Sequence, residues 1–290
     1  MALPLDRRPL ISQGWARALL LLLTYIAVSL GLGSLTDVFT INRGIDFTVS
    51  EDPALNDPSM QLWLIASFFA AIGCVWLFGK YIDREKPGLL PWKRSSIHPD
   101  GTIGFLLGLA LICSGSLILF FTGHLQWTGI AFSLPDLLIS FLLLISIAVG
   151  EEWVFRGYVL RNLLQSFNPI IALGASAILF TIVHSSNPDV HPIALANIFL
   201  AGVITGLGYI HTRNLWFPVL FHFSWNFFQG PVLGFPVSGL AARSALVLET
   251  RGRPIVTGGN FGFEASVWCT VLLLLSLLLW YYLRPRAGRR

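Results

Sequence analysis

The chain has 290 residues, 54% of them hydrophobic and 12% charged, and its mean hydropathy is +0.71. Soluble domains carry about 25% charged residues, so an ordinary soluble fold is excluded. The net charge of +4 comes with no nucleic-acid-binding motif, and the charges gather between long apolar runs, as in the loops of a membrane protein.

A helix crossing ~30 Å of hydrocarbon needs about 20 residues. Eight runs qualify, near residues 15–35, 60–79, 102–122, 134–154, 169–186, 192–210, 214–230 and 265–283. They are too long and continuous for barrel strands. The expected fold is therefore all-α, a single polytopic transmembrane helix bundle over residues 1–290 with about eight spans. The first run imitates a signal peptide, but it is long and has no small-x-small cleavage site, so it is expected to be retained.

Charge alternates between the connectors. Arg7 and Arg8 precede the first span; Asp37, Asp46, Glu51, Asp52 and Asp57 outnumber Arg43 in the next connector. Lys80, Arg84, Lys86, Lys93 and Arg94 follow the second span, and the tail holds Arg284, Arg286, Arg289 and Arg290. Basic segments on alternate sides predict both termini in the cytoplasm, with the aromatic belt of Trp280, Tyr281 and Tyr282 just inside the tail. The Gly- and Pro-rich segment from Pro231 to Glu264 is expected outside, as a cap or a loose loop. Cys74, Cys113 and Cys269 lie in apolar runs without paired spacing and suit buried small hydrophobes.

Ionisable groups in spans are costly and point to function. The fourth span ends in EEWVFRGYVLR, Glu151 to Arg161. Glu152 and Arg156 are i, i+4 with the acid first, a favourable pair that leaves Glu151, about 100° around the helix, free for another task. The bland alternative is a pair of interfacial helix-end charges. The fifth span places Phe180 and His184 at i, i+4, and the seventh places His222 and Asn226 likewise. Singly, these suit a structural histidine and interhelical polar contacts worth ~1 kcal/mol.

Depth links them. Gln165 to Pro169 is a plausible turn, because Asn-Pro opens turns. About residue 167, Glu151 and His184 fall at the same level of an antiparallel hairpin. His222 lies only about 13 Å beyond the next cytoplasmic turn, so reaching Glu151 requires the hairpin to tilt or protrude by about 12 Å. His98, His124, His191 and His211 are expected to be solvated or interfacial, with His191 a minor candidate for substrate contact. Gly202, Gly206 and Gly208 suit close helix packing.

Glu151-Glu152-xxx-Arg156, Phe180-xxx-His184 and His222-xxx-Asn226 resemble, in order, the three motifs of the CAAX protease and bacteriocin-processing family, which includes the Rce1-type prenyl-protein endopeptidases. The stretch from Gly206 to Asn226 resembles the family's third block beyond its polar residues. The resemblance covers roughly residues 134–230 and implies a catalytic core there. It implies Glu151 as general base, His184 positioning and polarising the water, and His222 and Asn226 facing the oxyanion. Arg156 would hold Glu152, with Phe180 as support.

The expected function is intramembrane hydrolysis of a peptide bond in a membrane-associated peptide or protein, with the lipid bilayer as setting and no nucleic acid. The expected location is the plasma membrane of a prokaryote. Two mechanisms stay open: a glutamate-activated water without metal, or a zinc site on Glu151, His184 and His222, although no HExxH helix is present. The rival functions are a non-catalytic scaffold or bacteriocin self-immunity protein, and a transporter with a proton relay. The transporter predicts internal repeats, and none is visible in the sequence.

Overall fold

The computed structural model describes residues 8–42, 55–84 and 97–283. Arg7, Arg43, Asp46, Glu51, Asp52, Lys86, Lys93, Arg94 and the four tail arginines lie outside the described residues, as do the side chains of Asp37 and His98.

The protein is an all-α membrane bundle. In chain order it runs α1 (Gly14–Asn42), α2 (Pro58–Leu77), α3 (Thr102–Phe121), β1 (Leu125–Ile130), α4 (Leu134–Glu152), α5 (Arg161–Leu163) and α6 (Pro169–Val183), then α7 (Pro192–Thr212), α8 (Trp216–Phe227), β2 (Leu246–Thr250), α9 (Pro254–Thr257) and α10 (Val267–Leu283). Among the described residues, six helical runs are long and apolar enough to cross a membrane: Gly14–Thr36, Pro58–Ile82, Pro99–Phe121, Leu134–Leu163, Pro169–Ser186 and Pro192–Thr212. All eight expected segments are helical. The seventh and eighth are short: the 12 residues of α8 rise about 18 Å and the 17 of α10 about 26 Å.

Local chemistry sets several boundaries. Asp57 caps α2 by accepting from the amides of Ser59 and Met60, ahead of Pro58 at the first position. Asn168 caps α6 on Ile170 and Ile171 with Pro169 next, which makes the expected turn. Between α4 and α5 the chain does not stay α-helical. Residues Trp153–Leu160 form a π-helix, a wider winding that often accompanies functional sites.

α8 is the axis of the bundle, packed against α3, α4 and α7. Its Phe217, Val219, Phe221, Phe223 and Trp225 are all buried, so it is apolar around most of its circumference, as an interior helix must be. Glycines allow α3 to come that close. A Cβ on Gly104 would fall 2.3 Å from the Phe217 carbonyl oxygen, and one on Gly108 2.2 Å from Ser224 Oγ. At the end where α1 begins, Arg17, inside the first apolar run, pairs in the interior with Asp83 and donates to Gln165 Oε1 at 2.6 Å.

At the other end, residues 231–266 form an ordered cap. β2 pairs antiparallel with β1 across 116 or more residues of chain, with an irregularity between Trp127 and Gly129. Phe235, Phe261 and Phe263 are buried beneath the cap, and Phe263 sits on Gly115 of α3. The Leu55 amide donates to the Ala241 carbonyl at 2.7 Å, tying the start of α2 to it. The cap alternative, not the loose loop, describes this segment.

Candidate active site

Glu151 and Glu152 end α4, where the winding widens. Glu152 and Arg156 are each only 1% exposed, and their side chains pair at 3.0 Å as the i, i+4 spacing requires. Arg156 is anchored further by donating to the Gly202 carbonyl at 3.2 Å and by stacking over Phe180, with its guanidinium carbon 4.4 Å from the ring centre. Gly202 thus brings α7 within reach of the arginine.

His184 ends α6 and begins a short 3-10 turn. Its Nδ1 donates to the Phe180 carbonyl at 2.8 Å, and its ring lies 4.3 Å from that of Phe180. That bond turns Nε2 towards Glu151 Oε2, 3.6 Å away. The same-depth relation across the hairpin is therefore realised in the fold.

His222 joins both acids. Its Nδ1 donates to Glu152 Oε1 at 3.1 Å, and its Nε2 lies 4.0 Å from Glu151 Oε2. His222 thus reaches both acids despite the depth mismatch anticipated from the sequence. The contact between His222 and Glu152 has no local sequence signal, because 70 residues separate the two. Glu152 therefore accepts from Arg156 and His222 on one oxygen, while Glu151 Oε2 is buried without a hydrogen-bond partner among the described residues.

These groups border a cavity that, together with the open solvent at its mouth, encloses about 530 Å³ of space between atoms. Glu152, His184, His222 and Asn226 line it, together with apolar walls from Phe180, Ile198, Ala201, Phe221, Trp225 and Leu273. Glu151 is not a lining residue; its Oε2 lies beside the two imidazoles that are, 3.6 and 4.0 Å from their Nε2 atoms. His124, His191 and His211 are not lining residues either; His211 stacks edge-on against Trp280 at 5.4 Å.

The sequence reasoning missed three contributors: Asn197 of α7, and Ser238 and Glu264 of the cap, all lining the same cavity. Cys269 lines it as well, and all three cysteines are free.

The zinc alternative can be tested on the donor set. Both histidines hold Nδ1–H on an oxygen, which is how metal-binding imidazoles are oriented. Ligand atoms about 2.0–2.1 Å from a tetrahedral zinc would stand about 3.3 Å apart. The separations of 3.6 and 4.0 Å are wider, and no group of three His, Cys, Asp or Glu among the described residues closes on a metal position. As arranged, these residues do not fit the ion.

A polytopic helical membrane protein in which two adjacent glutamates meet two histidines beside an apolar cavity is the class that fold and site define. Residues 133–228 match the family model of the type II CAAX prenyl endopeptidase Rce1-like proteins, so about a third of the chain carries an Rce1-like domain. Over 93 residues the chain is 33% identical to an uncharacterized 24.3 kDa protein of Escherichia coli. That match takes in 31% of this chain and 42% of the relative, so the chain spans less than half the length of the curated protein it matches.

Proposed function

We propose that this protein is an intramembrane endopeptidase that hydrolyses a peptide bond in a membrane-associated peptide or protein, using a water activated by Glu151. The observation that carries this reading is the approach of Glu151 Oε2 to the Nε2 atoms of both His184 and His222 at the edge of an apolar cavity.

In this mechanism a water sits between Glu151 Oε2 and His184 Nε2, within reach of a carbonyl carbon lodged in the cavity. Glu151 takes the proton as the water oxygen bonds to that carbon. The carbonyl oxygen becomes the oxyanion, and Asn226 donates an uncharged N–H to it, with His222 donating from Nε2 when protonated there. Glu151 then returns the proton to the departing amine as the C–N bond breaks, leaving an acid and an amine. Arg156 and Glu152 hold the frame: the arginine fixes the carboxylate, and the carboxylate fixes the His222 ring. No step requires a metal.

The test is cleavage of a panel of internally quenched apolar peptides by the purified protein in lipid nanodiscs, wild type beside Glu151→Gln. Turnover in the wild type that drops by about 10³-fold or more in the variant supports the reading. Equal turnover in both overturns it.

A further inference from the structure

Glu264 is a carboxylate that the three motifs do not use, yet it lines their cavity. It stands half-buried in the cap, between the buried Phe263 and Ala265, and reaches the same space as His184, close enough for an electrostatic influence between the two side chains. An ionised carboxylate among apolar walls is costly unless it is hydrogen-bonded and paired with a cation. Glu152 meets that requirement with Arg156. Glu264 meets only half of it. The amide and hydroxyl of Ser238 donate to its Oε2 at 2.8 and 3.0 Å, and Gln229 adds a further side-chain hydrogen bond. These donors are neutral, and among the described residues no Lys or Arg lies within ion-pair distance of it. Burial pushes the Glu264 carboxyl upward in proton affinity, against the pull of Ser238 and Gln229.

Its position is nevertheless closely held. Asn197, buried in α7, donates to the backbone carbonyls of Glu264 at 2.7 Å and Ser266 at 3.0 Å, and accepts from Thr270 at 2.7 Å. The turn leading to it runs through Gly258 and Gly262, with φ of 96° and 105°, and a Cβ on Gly262 would fall 2.0 Å from the Pro236 carbonyl oxygen. A staple between two parts of the cap needs only an uncharged acceptor for Ser238. A carboxyl facing the cavity can do more, because it ionises readily against a cation arriving with the ligand.

We propose that Glu264 selects the peptide: it receives the ammonium or guanidinium of a basic side chain lying one or two residues from the bond to be cut. This rests on the peptidase reading of the site. The short spacing follows from the shared cavity, because an extended peptide advances about 3.3–3.6 Å per residue. The preferred substrate is then a largely apolar segment, matching the Phe180, Ile198, Phe221, Trp225 and Leu273 walls, interrupted by one Lys or Arg near the scissile bond.

Binding separates this inference from catalysis. The measurement is fluorescence anisotropy on Glu151→Gln protein in nanodiscs, with fluorescein-labelled apolar nonapeptides carrying one lysine moved through each position. The same series with norleucine is the reference. The expected result is one register at which lysine binds about ten-fold or more tightly than norleucine, with the ratio falling to about one on adding Glu264→Gln. Ser238→Ala, which removes a hydrogen bond but no charge, is expected to keep the preference. No lysine preference at any register overturns the proposal, as does a preference that survives Glu264→Gln or a weakening of both series alike. Turnover is not needed for this reading. Failure of wild-type cleavage would sink the peptidase assignment while a Glu264-dependent preference stands, and cleavage without the preference would do the reverse.

Discussion

Replacing Glu152 by Gln removes the charge that faces Arg156 in the interior and the acceptor that orients His222. Breaking one partner out of a buried ion pair costs about 3–5 kcal/mol, so Glu152→Gln is expected to melt well below the wild type in detergent. Glu151→Gln removes a carboxylate oxygen that holds no hydrogen bond, and is expected to melt close to the wild type. Thermal unfolding of the two variants side by side checks this; equal losses would contradict the division of labour between the adjacent acids. The sequence revealed that division only in part. The Glu152–Arg156 pair was legible because helical spacing brings i and i+4 together, and it survives the wider winding after Trp153. The bond from His222 to Glu152 was not, because no local periodicity encodes contacts between helices four and eight. Phe180 shows the same limit: its motif position was evident, but not its place between the Arg156 guanidinium and the His184 ring.

Helices in this bundle meet at glycines, and that makes a prediction at the scale of elements. Gly108→Leu is expected to push α8 from α3, displacing His222 and Asn226 and destabilising the fold by about 1–3 kcal/mol or more. Gly73→Ala in α2 meets nothing within 4 Å and should be neutral or slightly stabilising. Folded yield by size-exclusion chromatography, with melting temperature, distinguishes them. Asn197→Leu removes the clamp on the cap at both the Glu264 and Ser266 carbonyls. Hydrogen exchange over residues 257–266 should accelerate while the helices far from the cap keep their protection; unchanged exchange there would contradict the clamp. Hydropathy made the eight helical segments visible because a long apolar run has one solution in lipid. It was silent on β1 and β2 and left the cap undecided against a loose loop, because these short mixed segments acquire order from pairing across the chain and from Phe235, Phe261 and Phe263.

The whole molecule is polarised. Arg17, Lys80, Arg84, Arg161 and Arg213 belong to the end where α1 begins and α10 finishes, and the cap belongs to the other. The positive-inside bias predicts the basic end in the cytoplasm and the cap, with the cavity beneath it, towards the outer face. Single cysteines at Thr128 and Arg213, in a protein cleared of Cys74, Cys113 and Cys269, test this with a membrane-impermeant maleimide on intact cells. Labelling at residue 128 alone is expected, and labelling at residue 213 alone would invert the topology. Composition and charge pattern alone frame that expectation. The meeting of acids and histidines beneath the cap required the fold, because it depends on how α4, α6 and α8 tilt around one another.

In the proposed mechanism Glu151 activates water without a metal ion. It is tested most directly by peptide cleavage in nanodiscs before and after exhaustive treatment with a divalent-metal chelator, with Glu151→Gln as companion. Cleavage is expected to persist after chelation and to disappear in the variant. Cleavage that survives in Glu151→Gln, or that chelation abolishes and added zinc restores, would contradict it.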